Sequence, residues 1–423
     1  MMKKAKRWAR GLALASGLLA AAVLAGCGAA KGAEDEGLAV SLAPEALRQI
    51  VEEDNAHGRT IMWQLPEQRE IAVEWRESGG AQGSVPAVSS LLKGNQGQPD
   101  RYIYTARLTG LAPGRTYEYR LRAGDSISRW HPLKTDGGGP FSALIFPDSQ
   151  SADYDVWAAT AKAGLAKEPD ADFFISMGDL VDNGQDERQW QAWLQASAPL
   201  LDRMPAAPVM GNHEAYSLDW KLAPPERYLA HFSLPDNGVP GAEGLYYSFD
   251  WGPVHFSVVN TQMQELAEEH PDLLEKQRAW IEEDMRKTDK KWKVVLMHKD
   301  PLQYRIAGRP ERKEGFSPEG EAFMPLFDRL GADAVISAHL HTYRNRGHIY
   351  DFRRDEKGPL YILSGVAGDV RYPNLWTDHA LDVTVAPQPE TDNFMTMEAE
   401  EDTLIFRAFL NDGTQIDEAV LRK

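Results

Sequence analysis

Five times between residues 143 and 341 a short apolar run stops abruptly on polar residues. "ALIF" leads into Pro147-Asp148-Ser149-Gln150, and "FFIS" into Met177-Gly178-Asp179-Leu180-Val181-Asp182. "PVM" leads into Gly211-Asn212-His213-Glu214, "VVLM" into His298, and "AVIS" into Ala338-His339-Leu340-His341. Further strand candidates are "VHFSVVN" and "PLYILS". Amphipathic helical patterns fall between some of them: "ADYDVWAATAKAGLAKE", "DERQWQAWLQASAPLLDRM", "DLLEKQRAWIEEDMRKTD" and "GEAFMPLFDRL". Near-continuous apolar runs alternating with such helices predict an α/β domain with buried sheets. The last 22 residues predict a hairpin turning at Asn411-Asp412-Gly413.

The pattern differs before residue 136. "SLAPEALRQIVEEDNAHG" predicts a short helix, capped by Ser41 with Pro44 and Glu45 in its first turn. From Thr60 to Thr135 short alternating runs ("TIMWQL", "EIAVEWRE", "YIYTARLTGL", "TYEYRLRAG", "SRWHPLKT") are separated by Gly, Pro and Ser, which predicts an antiparallel β-sandwich. Within it "ARLTGLAPGRTYEYRLRAG" resembles a fibronectin type III-like module, where a Gly-Leu-x-Pro-Gly turn precedes a Tyr-x-Tyr strand. "DGGGP" (Asp136 to Pro140) reads as a hinge. The expected divisions are therefore 1–26, a tether and short helix over 27–57, the small β domain over 58–136, and the large domain over 137–423.

At the N-terminus, five basic residues between Lys3 and Arg10 precede an apolar stretch from Leu12 to Ala25, the form of a secretory signal. It resembles a bacterial lipoprotein signal, with Leu24-Ala25-Gly26-Cys27 at the lipobox. That resemblance implies cleavage after Gly26, lipid on Cys27, and an anchor on the extracytoplasmic side of the cell membrane. Cys27 is the one cysteine in 423 residues, so no disulfide is available and burial or bound metal must stabilise the fold. Removal of residues 1–26 takes the formal net charge from −17 to −22. So acidic a chain excludes a broad electrostatic surface for duplex nucleic acid, though not a local positive centre made by metal ions.

Strand ends are where an α/β sheet binds its ligands. Two Asp, one Asn and three His delivered there form a mixed oxygen and nitrogen donor set, suited to Zn, Mn, Fe or Co rather than Ca or Mg alone. The ordered series resembles the calcineurin-like metallophosphoesterase superfamily, whose blocks run Asp-x-His, Gly-Asp, Gly-Asn-His-Glu, His and Gly-His-x-His. With the preceding module it looks most like the purple acid phosphatase branch. The resemblance implies a four-layer α/β/β/α sandwich, preceded by the small all-β domain and holding two transition metal ions, divalent or mixed-valence. On that match Asp179 bridges the metals, Asp148 and His341 hold the first, and Asn212, His298 and His339 hold the second. Two cations about 3.5–4 Å apart activate a bridging hydroxide and clamp the entering and leaving oxygens of a phosphoryl displacement. His213 is then free to assist the leaving group.

Three positions depart from the family pattern. Asp182 stands where the purple branch has its iron-binding tyrosine, so no purple colour and no ferric preference are expected. Gln150 replaces the superfamily histidine, and either its carbonyl oxygen or Asp182 completes the first metal site. Asp182 has a rival role, because "GDLVD" also resembles protein phosphatases in which this Asp orients the catalytic histidine. Arg344 stands where the purple branch tends to carry Glu, and it is a candidate contact for substrate phosphate, the alternative being a solvated side chain. The basic loop Tyr304 to Gly320 is a candidate substrate rim, and His255 reads as a core residue. The expected activity is a lipid-anchored metallohydrolase acting on small phosphate monoesters. The alternatives are a phosphodiesterase or nucleotide hydrolase on the same site, and an inactive surface protein that binds through its β domain.

Overall fold

The computed structural model describes residues 41–423, so the signal segment, Cys27 and nearly all of the tether lie outside the described residues. Residues 40–423 form one unit built on two large sheets. In the first, the parallel strands Phe141–Phe146, Phe173–Ser176 and Ala206–Pro208 lie side by side. In the second, Val254–Val259, Trp292–Met297, Ala334–Ser337 and Leu360–Ser364 are parallel neighbours. Apart from the half-buried Ser142 and Lys293, all seven are buried on both faces, which is why they read as near-continuous apolar runs rather than alternating ones. The sheets meet through aromatic rings: Phe173 packs on Phe249, Trp251 and Phe256 with centroids 5.7, 4.8 and 5.6 Å away.

Helices cover the outer faces. Helix α1 (Asp155–Lys167) and helix α2 (Glu187–Leu201) lie on the first sheet. A short helix, α3 (Glu226–His231), follows. Helix α4 (Leu273–Lys287) and helix α5 (Pro318–Leu330) pack together on the second. Their ends follow capping chemistry: Asp186 accepts from the Arg188 and Gln189 amides at the start of α2, and Ser317 accepts from the Gly320 amide at 3.1 Å at the start of α5. The layers are thus α/β/β/α. The C-terminal hairpin, Thr403–Leu410 with Gln415–Arg422, pairs onto Asn393–Ala399 and extends the first sheet.

The small β domain shares a sheet with the large one. Gly58–Leu65, Arg101–Thr109 and Val88–Leu92 continue the first sheet beyond Glu45–Ile50, and a five-stranded sheet centred on Ala72–Glu77 and Thr116–Ala123 packs over them. Strand Gly58–Leu65 therefore serves two cores. Ile61, Trp63 and Leu65 face the small one, with Trp63 stacked on Tyr104 at 5.2 Å, while Met62 faces the large one. Asp136, in the expected hinge, is buried and accepts from the amides of Gly138 and Gly252 at 2.8 and 2.9 Å.

One expectation is corrected. The segment predicted as a helix from Ser41 contains the strand Glu45–Ile50, antiparallel to Gly58–Leu65 and joined to Ala206–Pro208 by a parallel bridge at Ile50 and Ala206. It fills a slot between two strands whose backbone groups would otherwise lack partners, and it buries Ile50 and Val51 fully. Those gains outweigh a helix preference of a few tenths of a kcal/mol per residue.

His255 lies buried on its strand, with Nδ1 2.8 Å from Asp250 and Nε2 2.9 Å from Asp284. Burial opposes its charge, yet the two carboxylates lift its pKa from 6.5 to about 9. A raised value means that the stabilisation is complete below pH 6.5 and is lost as pH climbs through about 9. We expect the unfolding free energy of His255→Gln to fall below wild type by on the order of 3 kcal/mol at pH 6. Denaturant titrations should show most of that gap closed at pH 10, and a gap independent of pH would contradict the assignment.

Candidate metal centre

Because the strands are parallel, their carboxyl ends open at one edge, and the five polar loops meet there. Asp148 follows Phe141–Phe146, Asp179 follows Phe173–Ser176, and Asn212 and His213 follow Ala206–Pro208. His298 follows Trp292–Met297, and His339 and His341 follow Ala334–Ser337. Asp148, Asp179 and His298 have at most 1% of their surface exposed. Donor atoms of Asp179, His298 and His339 converge within 4.8 Å of one another, and so do those of Asp148, Asp179 and His341. Asp179 belongs to both groups.

Hydrogen bonds decide which atoms face inward. His298 donates from Nδ1 to the Met177 carbonyl at 2.8 Å, and His341 donates from Nδ1 to the Val370 carbonyl at 2.8 Å. Each ring is thereby turned so that Nε2 points into the cluster. There Nε2 of His298 lies 3.0 Å from Asp179 Oδ2 and 3.2 Å from Asn212 Oδ1, and Nε2 of His341 lies 3.3 Å from Asp148 Oδ1. Lone pairs so close repel unless positive charge sits among them. Nδ1 of His339 and Oε1 of Gln150 are also buried without any partner. Buried, unpaired acceptors beside two carboxylates fit a pair of cations.

The electrostatics agree. Burial opposes the charge of Asp179, but His298 and His213 hold it below the usual carboxylate range. Burial likewise opposes the charge of His298, and Asp179 lifts it to about 9. His339 is pushed well down by burial and by His298. Glu214, which sequence reasoning left without a role, anchors the cluster. Its buried carboxylate accepts from the amides of Asp179, Leu180 and Gly211 at 3.0, 2.9 and 2.7 Å. Burial, then Asp179, pushes it up to about 7.

The backbone here is strained and tight. Asp179, His339 and His341 hold left-handed φ values of 48°, 77° and 52°, a cost of about 1–3 kcal/mol each that surrounding contacts must offset. Glycine is required at two neighbours. A Cβ at Gly211 would sit 2.2 Å from Asp179 Oδ1, and one at Gly178 (φ 97°) would sit 2.4 Å from His298 Nδ1.

Residues 141–343 match the calcineurin-like phosphoesterase family, and residues 44–135 match the purple acid phosphatase N-terminal domain. The chain joins a calcineurin-like phosphoesterase domain to a purple acid phosphatase N-terminal domain. Purple acid phosphatase 23 of Arabidopsis thaliana is 30% identical over 43% of this chain, an alignment covering 38% of that protein. Purple acid phosphatase 15 of Arabidopsis thaliana is 27% identical over 68% of this chain and 57% of its own length. Acid phosphatase type 7 of Mus musculus is 27% identical over 65% of this chain and 68% of its own. The chain thus spans about half the length of the first two relatives. A purple acid phosphatase from yellow lupin (Lupinus luteus) seeds has the same fold, with a TM-score of 0.75 at 18% identity, covering 90% of this chain and 74% of that one.

Within this phosphoesterase-like domain the departing residues resolve as follows. The Nδ1 proton of His213 goes to the backbone carbonyl of Asp182 at 2.7 Å, whereas the Asp182 carboxylate stands 3.7 Å away. It is the main chain at 182, more than its side chain, that orients the imidazole. Burial pushes the half-exposed Asp182 carboxyl up. Gln150 Nε2 meets His213 Nε2 at 3.3 Å, leaving its oxygen free. Arg344 corrects the expectation of a substrate contact: it is 2% exposed and donates to Asp378 at 2.6 Å and Asp382 at 3.1 Å. With both carboxylates on it and Tyr304 against its plane at 5.5 Å, the guanidinium is a buried strut. Loop residues Leu302, Gln303, Tyr304, Arg312 and Ser317 line a cavity of about 370 Å³ that also touches His339.

Metal analysis of reconstituted protein should find about two transition-metal equivalents in wild type and less than one in Asp179→Ala. Arg344→Met should keep its metal but lose about 3 kcal/mol in unfolding free energy. A stable Arg344→Met with a raised KM would restore the substrate role.

Proposed function

We propose that this protein hydrolyses phosphate esters, small monoesters foremost, at two cations held by Asp148, Asp179, Asn212, His298, His339 and His341. One observation carries the reading: both groups of donor atoms share Asp179, as a bridging carboxylate requires. When bound, the metal ions (Mn, Zn or Fe by donor type) supply positive charge for a phosphoryl group and acidify water. The chain's residues do the rest. Asn212 contributes a neutral oxygen, which limits the negative charge that an incoming phosphate meets. His213, fixed through Nδ1 on the Asp182 carbonyl, takes a second proton on Nε2, which burial opposes and the Asp179 charge favours. It turns away from the Gln150 amide that meets Nε2 in this structure and gives that proton to the leaving-group oxygen. Glu214 and the two glycines keep Asp179 and the 211–213 loop in register for both tasks.

Export and anchoring through lipid on Cys27 are proposed from the N-terminal signal pattern. Among the described residues no helix is long and apolar enough to cross a membrane, so an anchor at Cys27 would be the attachment.

Metal-loaded wild type should cleave p-nitrophenyl phosphate faster than bis-p-nitrophenyl phosphate, and His213→Asn should lower kcat by about 10²–10³ with metal content unchanged. A faster diester would reassign the enzyme as a phosphodiesterase, and an unaffected His213→Asn would remove the acid role. In detergent phase partitioning, the expressed full chain should enter the detergent phase and Cys27→Ser the aqueous phase. Aqueous partitioning of both would rule out the anchor.

A further inference from the structure

Two exposed aromatic side chains stand against the centre, one on each flank. The Trp220 ring lies 6.0 Å from that of His213 and nearly perpendicular to it, with Tyr216 5.5 Å from the same imidazole. On the other flank Tyr372 lies 4.9 Å from the His341 ring and is backed by Trp376 at 6.4 Å.

Within the fold Trp220 meets only the Tyr216 ring, at 6.1 Å, and the His213 imidazole among the aromatic contacts of the described residues. It is 55% exposed between Leu218 at 43% and Leu222 at 55%, an apolar patch open to solvent beside the imidazole. Its backbone is left-handed, with φ 60°, a conformation that favours Gly or Asn over a bulky ring. The loop is nonetheless firmly closed: Ser217 and Ala223 amides donate to Lys221 and Ala215 at 2.7 and 2.9 Å, and the Trp220 amide donates to Ser217 at 2.9 Å. A strained, pinned turn that displays an indole to solvent is accounted for by something that stacks on the indole.

We infer that Trp220, standing beside His213, seats an aromatic leaving group, and that aryl phosphates or esters with a comparably planar apolar leaving group are the favoured substrates. The inference rests on the phosphoesterase reading, in which His213 serves the leaving-group oxygen. The group attached to that oxygen is therefore the part of the substrate within reach of the ring beside His213.

The test uses metal-reconstituted protein and calorimetric binding of phenylphosphonate against methylphosphonate. Wild type should prefer the phenyl compound by about five- to tenfold, the scale of an aromatic contact. Trp220→Ala should erase that preference without changing metal content or methylphosphonate affinity, and Trp220→Phe should restore most of it. In turnover, the kcat/KM ratio of phenyl phosphate to 2-glycerol phosphate should fall by the same factor in Trp220→Ala. An unchanged phenyl preference in Trp220→Ala would overturn the inference, as would an equal loss for both phosphonates. Metal-loaded wild type that binds and cleaves none of these compounds would instead overturn the phosphoesterase reading, and the seat with it.

Discussion

Asp148 and Asp179 are two carboxyl groups buried side by side, and the protein is organised around surrounding them with donors. An unpaired buried carboxylate costs several kcal/mol, so each is surrounded by donors. His339 gives its amide to the Asp148 carboxylate at 2.9 Å, and His213 gives its amide to Asp179 at 2.9 Å. The loops that carry the carboxylates are tied to each other as well: Gln150 donates to the Asp179 carbonyl at 2.9 Å, and Ala367 to the Asp148 carbonyl at 2.8 Å. What these amides leave over is concentrated negative charge and inward-facing nitrogen lone pairs. A pair of cations balances them.

That arrangement needs rigid support, because the left-handed backbone at Asp179, His339 and His341 relaxes unless its surroundings forbid it. Two buried parallel sheets supply the support. Their strands cannot shift register without moving whole apolar rows out of the core, so their carboxyl ends form a fixed frame. The small β domain contributes to the same frame. Gly58–Leu65 and Arg101–Thr109 are hydrogen-bonded into the first sheet and carry a second core on their outer face.

The charge distribution separates the roles of surface and centre. The acidic surface disfavours nucleic acid duplexes, and under the proposed function selection among small substrates would fall to the walls beside the proposed metal ligands. Those walls are aromatic at His213 and His341 and polar at the cavity that touches His339. Arg344, which from the sequence looks available to a phosphate, is consumed by Asp378 and Asp382, and its neighbour Arg346 pairs with Asp300. They hold the strand that follows His341.

An α/β domain with buried sheets was legible in the chain alone, since buried parallel strands need unbroken apolar runs and the runs and helical patterns can be counted; the four-layer order was implied only by the family resemblance. The sequence also picked out the residues now gathered at one sheet edge, because a strand that ends on Asp, Asn or His spends its most constrained position on a polar group. It could not decide Glu45–Ile50, whose strand state comes from two partners far away in the chain, Gly58–Leu65 and Ala206–Pro208. Nor could it decide Arg344, whose availability depends on carboxylates 34 and 38 residues further on. The same holds for Glu214, which lay inside the quoted motif but whose function is to accept three backbone amides brought together by the fold. Local pattern fixes what a residue is able to do. Only tertiary structure fixes whether its partners are spent, because hydrogen bonds and ion pairs between distant segments leave no period in the chain.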